Sequence, residues 1–326
     1  MMTCTRASAE LAEPVAATAA TARTWLLIEQ PGPWGAKALT SSRLDPATGR
    51  ALDRLADGTG VRVALIRRPG RHADTHRPTR HRVLVAHTAP HDPWVRTAEV
   101  ADPAELTALD FAAMGAGAHG GFGTPYEGPP LALVCTNGRR DRCCAVYGRP
   151  LAAELAASDS GEVWEVTHLG GHRFAPTVLV LPHGYAYGRT DGRHAKEVLE
   201  AARAGRVVLD GCRGRSAWER PGQAAELAVR ALTGEDLAGA LAVERTEAAP
   251  DGWTVRVAHT DGRAWQVAVA RRAARPPRPE SCDAALGTPA WMDVTGVEEV
   301  AESRAGGRPD RGGGRAGRQG PAEGPA

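Results

Sequence analysis

The stretch Leu131-Ala-Leu-Val-Cys135-Thr-Asn-Gly-Arg-Arg-Asp-Arg-Cys143-Cys144 begins as a strand and ends in a loop that carries thiols. An unbroken apolar run of this length, Leu131 to Val134, reads as a strand covered on both faces. A second stretch has the same form: Val163-Trp-Glu-Val-Thr167 runs straight into His168-Leu-Gly-Gly-His172. In each case residues able to grip a bound atom come directly off the end of a strand. Fold and function both turn on whether the two stretches meet.

Outward from them, the chain alternates strands and helices. A helix is expected from about Gly148 to Ala157. After the His loop come strands over Thr177–Leu181 and Tyr185–Arg189, joined by a Pro182-His183-Gly184 turn, and a helix over Ala195–Ala204. Upstream, Trp25–Glu29 reads as a strand, Pro46–Ala56 as a helix capped by Asp45, and Val61–Ile66, His81–Ala86 and Trp94–Val100 as strands. The helix Pro103–Met114, capped by Asp102, closes that set.

The same succession on both sides of a Gly/Pro-rich segment suggests two similar α/β units, an old duplication. The expected class is α/β (α+β sandwich), the second unit being compatible with a thioredoxin-like sandwich. Trp253–Ala258 and Ala264–Ala270 flank Asp261-Gly262, a hairpin signal that adds a small C-terminal β appendage. The expected division is a disordered leader (1–23), an N-terminal α/β unit (24–114), a linker (115–130), a cluster domain (131–235), the β-hairpin appendage (236–302) and a disordered tail (303–326).

Composition excludes several function classes. Lys plus Arg number 40 against 38 Asp plus Glu, a net charge of +2 that asks for neither nucleic acid nor an anionic membrane. No apolar run is long enough for a transmembrane helix. The Ala-rich start carries acidic residues and lacks the layout of a signal peptide. Thiols clustered in such a chain point to metal or redox work in a reducing cytoplasm.

Thiolate and imidazole donors select zinc, copper or iron–sulfur centres over magnesium or calcium. Cys143 and Cys144 are adjacent, too close along the chain for a comfortable disulfide. In an extended segment their side chains point apart, so one is the ligand and the other a neighbour. His168 and His172 would share a helix face, but Gly170-Gly171 between them argues for a loop whose backbone approaches a ligand.

These residues carry a resemblance. The segment Val134 to Cys144, Gly148-Arg-Pro150, Trp164 to Ala175 with its His-Leu-Gly-Gly-His core, and Leu179-Val-Leu-Pro-His-Gly-Tyr185 closely resemble the sucrase/ferredoxin-like family. Leu26 to Gly35 and Arg213-Gly-Arg-Ser216 resemble it too. The family includes the yeast actin-patch-distal protein and is related to thioredoxin-like 2Fe–2S ferredoxins. The resemblance implies a 2Fe–2S cluster held by two cysteines and two histidines. Carried over, these are Cys135, Cys144, His168 and His172, with Cys143 the alternative second cysteine. Cys135 and Cys144 would hold one iron and the histidines the other.

Replacing thiolates by imidazoles makes the centre less negative and raises its potential above that of an all-Cys cluster. An iron-bound imidazole can also lose its second proton, which couples reduction to protonation. The expected function is soluble electron transfer or redox sensing, more an electron carrier than an enzyme, with a redox partner protein the sequence does not name. Arg139, Arg140 and Arg142 read either as a dock for an acidic partner or as plain surface. His183 reads as a turn residue, and Arg213 and Arg215 as structural anchors. The alternatives are a structural Cys2His2 zinc module in an interaction protein and a thiol oxidoreductase. The second lacks a Cys-x-x-Cys, and no paired carboxylates support sucrase chemistry.

Overall fold

The structure, a computed structural model, describes residues 3–70, 74–75, 78–158 and 161–300. The tail expected to be disordered, 303–326, lies outside these residues. After a short first helix, α1 (Cys4–Glu10), strand β1 (Thr24–Glu29) leads through α2 (Pro46–Ala56) to β2 (Val61–Arg67), β3 (His81–His87) and β4 (Trp94–Val100). β1 lies parallel to β2 and antiparallel to β3, and β3 is antiparallel to β4. A parallel pair needs a long crossover, which α2 supplies; the other pairings are antiparallel.

Beyond α3 (Phe111–Gly115) and the short β5 (Thr124–Pro125), the pattern returns. Strand β6 (Leu131–Cys135) leads through α4 (Arg142–Ala156) to β7 (Glu162–Val166), β8 (Thr177–Leu181) and β9 (Tyr185–Gly188). β6 is parallel to β7 and antiparallel to β8, and β8 is antiparallel to β9. Both units thus repeat one topology. They join edge to edge where Ile66 pairs with Val166 and Arg67 with Glu165, giving a mixed sheet of ten strands that also holds β10 (Cys212–Arg215). A buried Arg67–Glu165 ion pair of 2.7 Å sits at that seam.

Leu84 and Leu181 belong to strands far apart in the sheet order, yet they share one buried core with Trp25, Leu133, Cys135, Trp164 and Cys144. The sheet curls over that core: Trp25 Nε1 in β1 donates to Ser216 Oγ, just past β10, at 3.1 Å, and Arg215 in β10 donates to Thr88 O, just past β3, at 3.3 Å. The helices cover its other face. There α4 and α5 (Gly192–Arg203) pack Leu151, Leu155, Val198 and Leu199 on the second unit. On the first unit, α2 and α3 contribute Leu52, Phe111 and Met114.

The C-terminal part is larger than a hairpin. The Asp261-Gly262 turn joins β12 (Gly252–His259) to β13 (Ala264–Ala273), and β11 (Leu241–Ala249) and β14 (Ala290–Val300) extend them into an antiparallel sheet of four strands. Helix α6 (Arg220–Thr233) covers it, setting Ala225 and Val229 against Val255 and Trp265.

Three local expectations are corrected. The helix after the Cys loop starts at Arg142, not Gly148, because Asp141 caps it by accepting from Cys143 N at 2.8 Å. Within the 115–130 linker, β5 pairs with β4, and Arg96 donates to Gly123 O at 2.6 Å. The described part of the leader, residues 3–23, is packed rather than disordered: Cys4, Ser8, Glu13, Ala17, Ala19 and Ala22 are buried. Ala17 sits in the core beneath α6, and Thr18 N and Ala19 N both donate to Arg213 O.

Candidate metal centre

Cys135 pairs with Val166 at the ends of two adjacent parallel strands. The loops that follow therefore leave the sheet side by side, at the carboxyl edge where open α/β sheets place their ligands. Topology alone brings the thiol loop and the His loop together.

Four side chains converge there. Cys144 Sγ lies 3.2 Å from His172 Nδ1. The His168 and His172 rings are stacked, 4.8 Å between centroids and 29° apart in plane. A hydrogen bond from Cys144 pushes the Cys135 thiol well down, and the neighbouring His168 ring adds to the effect against the cost of burial. Cys144, which gives up that bond and is itself buried, is pushed up. The two thiols titrate as a coupled pair. Burial, then the nearby His168, pushes His172 down, which favours the neutral imidazole that binds metals. His168 Nδ1 is buried with no hydrogen-bond partner among the described residues. A buried imidazole nitrogen without a partner is costly; beside two thiols and a second imidazole, it fits a metal–sulfur group.

The His loop is shaped by glycine and held from outside. Gly170 and Gly171 both adopt left-handed backbone, φ 69° and 66°. A Cβ at Gly171 would sit 2.2 Å from Arg213 Nη2. That buried Arg213 donates to Gly170 O at 3.2 Å and to Thr18 Oγ1 at 3.0 Å. Thr5 Oγ1 donates to His172 O at 2.9 Å, so the leader ties down the loop from a second side. On the thiol side, Gly148 lets α4 cross close over β6: a Cβ there would lie 2.2 Å from Cys135 O.

Cys143 is turned away from this group. Its sulfur lies with Cys4 and Cys282, which the sequence reading left out. Asp141 was missed as a site residue too, though its place just before the helix marks it as a cap; it stands between both groups, near Cys144 and His172 on one side and Cys143 on the other. His183 lies at the far end of β8, where burial beside Arg215 and Arg230 pushes it down to about 4. Arg215 is equally remote, donating to Tyr185 Oη at 2.7 Å in a buried network with Glu226. Arg139, Arg140 and Arg142 are exposed.

The model of one family, described as sucrase/ferredoxin-like, matches residues 15–214. The chain belongs to the sucrase/ferredoxin-like family. No curated protein and no solved structure matches it. In this sucrase/ferredoxin-like chain the matched span contains Cys135, Cys144, His168 and His172 but neither Cys4 nor Cys282. Among the described residues, no helix is long and apolar enough to cross a membrane.

Proposed function

We propose that Cys135, Cys144, His168 and His172 hold a 2Fe–2S cluster in a thioredoxin-like unit, and that the protein transfers electrons or senses redox state. The observation that carries this is the unpartnered, buried Nδ1 of His168, stacked on the ring whose Nδ1 meets Cys144 Sγ. On the family resemblance, Cys135 and Cys144 would hold one iron and His168 and His172 the other. When bound, the cluster supplies a one-electron couple. The chain supplies the rest: a dry thiol pair, two stacked imidazoles and a loop locked by Arg213.

His168, half-buried, also lines a groove of about 560 Å³ with Lys37, Arg50, Arg62, Arg140 and Asp53. This is the route by which an electron would leave, and its excess of cations favours an acidic redox partner. All six cysteines are free thiols and all but Cys282 are buried, which suits a reducing cytoplasm. Zinc would accept the same donors as a structural ion, and potentiometry separates the readings. His168→Cys and His172→Cys each add a negative charge, so each should lower the midpoint potential by about 100 mV or more. An unchanged potential removes that histidine from the site, and a protein with no redox couple removes the cluster.

A further inference from the structure

Beside the proposed cluster lies a second group of donors. Cys143 Sγ is 3.2 Å from Cys282 Sγ and 3.5 Å from Cys4 Sγ, and Cys4 Sγ is 3.7 Å from Cys282 Sγ. The Asp141 carboxylate completes the set, its oxygens 3.7 and 3.9 Å from Cys4 Sγ. These residues come from separate parts of the chain: the start of α1, the first turn of α4, and the connection between β13 and β14. Cys4, Cys143 and Asp141 are buried and Cys282 partly so.

We propose that Cys4, Cys143, Cys282 and Asp141 form a zinc site, separate from the cluster, that clamps the N-terminal helix and the C-terminal connection onto α4. The spacing supports it. Sulfurs bound tetrahedrally to one zinc at about 2.3 Å stand roughly 3.8 Å apart. The observed separations lie at or just inside that value, so small outward shifts admit the ion. All the sulfurs are in mutual contact, whereas a disulfide would join two of them and leave the third idle. The Cys4 thiol donates to the Asp141 carboxylate, and a zinc ion would take the place of its proton between sulfur and oxygen. Asp141 is also oriented as a ligating carboxylate should be: Cys143 N donates to Oδ1 at 2.8 Å and Cys282 N to Oδ2 at 2.7 Å. Thiolate-rich donors select zinc over magnesium or calcium, and binding would displace the thiol protons. The set is complete, so this reads as a closed structural site. Cys4 and Cys282 lie outside the span that matches the family.

The test is elemental analysis of the full-length protein, purified anaerobically, beside Cys4→Ser, Cys282→Ser and His172→Ala. We expect Cys4→Ser and Cys282→Ser each to lose about one zinc per chain while iron and visible absorption stay at the parent level. His172→Ala should do the reverse. Should a serine variant fail to fold, the parent protein still decides: Cys282 should resist a maleimide until a chelator is added. Zinc content unchanged in both serine variants would overturn the proposal. So would a Cys143–Cys282 disulfide in the intact mass of the protein, or labelling of Cys282 at one rate with and without chelator. Because zinc and iron are read separately, failure of the cluster reading leaves this result interpretable.

Discussion

Cys143 and Cys144 are consecutive, yet their sulfurs serve different neighbourhoods: Cys144 Sγ lies 3.2 Å from His172 Nδ1, and Cys143 Sγ lies 3.2 Å from Cys282 Sγ. The cause is the start of α4 at Arg142. Neighbours on a helix diverge by about 100°, so the first turn aims one thiol at the His loop and the other at Cys4 and Cys282.

The two thiols should therefore be separable by mutation. Cys144→Ser is expected to abolish the visible spectrum and the bound iron. Cys143→Ser should keep both, although it removes a donor of the second group. Iron content and absorption of the two purified variants check this directly.

Gly171→Ala should damage the His loop without touching a ligand. Its φ of 66° is left-handed, where an L-residue costs about 1–2 kcal/mol. The added Cβ would also collide with Arg213. We expect a lower melting temperature and faster loss of the chromophore on standing in air, measured against the parent protein.

Glu13 is a second clasp on the same loop. Its buried carboxylate accepts from Arg173 Nε at 2.8 Å and from Arg278 Nε at 2.9 Å, joining the leader, the residue after His172 and the C-terminal connection. Burial works to raise its pKa, but the hydrogen bonds from Arg278 and Arg173 win and hold it below 4.5. A carboxyl depressed on folding stabilises the fold above its unfolded pKa and loses that contribution as pH falls through the folded value. The parent protein should thus lose stability below about pH 4.5 more steeply than Glu13→Gln. At pH 7 the Gln variant should be less stable by about 3 kcal/mol, because it leaves buried guanidinium groups short of a charge. Thermal unfolding at several pH values measures both.

Much of the frame was legible in the sequence because its signals are local. The strands into Cys135 and His168 are short apolar runs, and Gly170-Gly171 announced a loop, not a helix face. The start of α4 was misplaced for a physical reason: Gly148 and Pro150 resemble a helix beginning. Gly148 is instead small because the helix passes close to Cys135 O, and Pro150 sits inside the helix. The Cys4–Cys143–Cys282 group was out of reach. Cys4 and Cys282 are 278 positions apart, and no local pattern announces a contact made by topology. The leader misled for a related reason: its alanines look featureless until α6 and the His loop supply the surfaces they cover.

Glu226 offers a control remote from the site. Fully buried, it pairs with Arg230 at 3.0 Å and Arg215 at 3.6 Å and accepts from Tyr185 Oη. Glu226→Ala should cost about 3–5 kcal/mol, the usual loss when one member of a buried charge network is removed. The folded fraction should keep the parent absorption spectrum, which distinguishes lost stability from lost ligation.

The most direct test of the central claim is analysis of iron and acid-labile sulfide in anaerobically purified protein, read with its visible spectrum before and after reduction. A cluster on Cys135, Cys144, His168 and His172 predicts iron and sulfide in equal amounts and a colour that bleaches on reduction. A colourless protein with zinc in place of iron, and no sulfide, would contradict it.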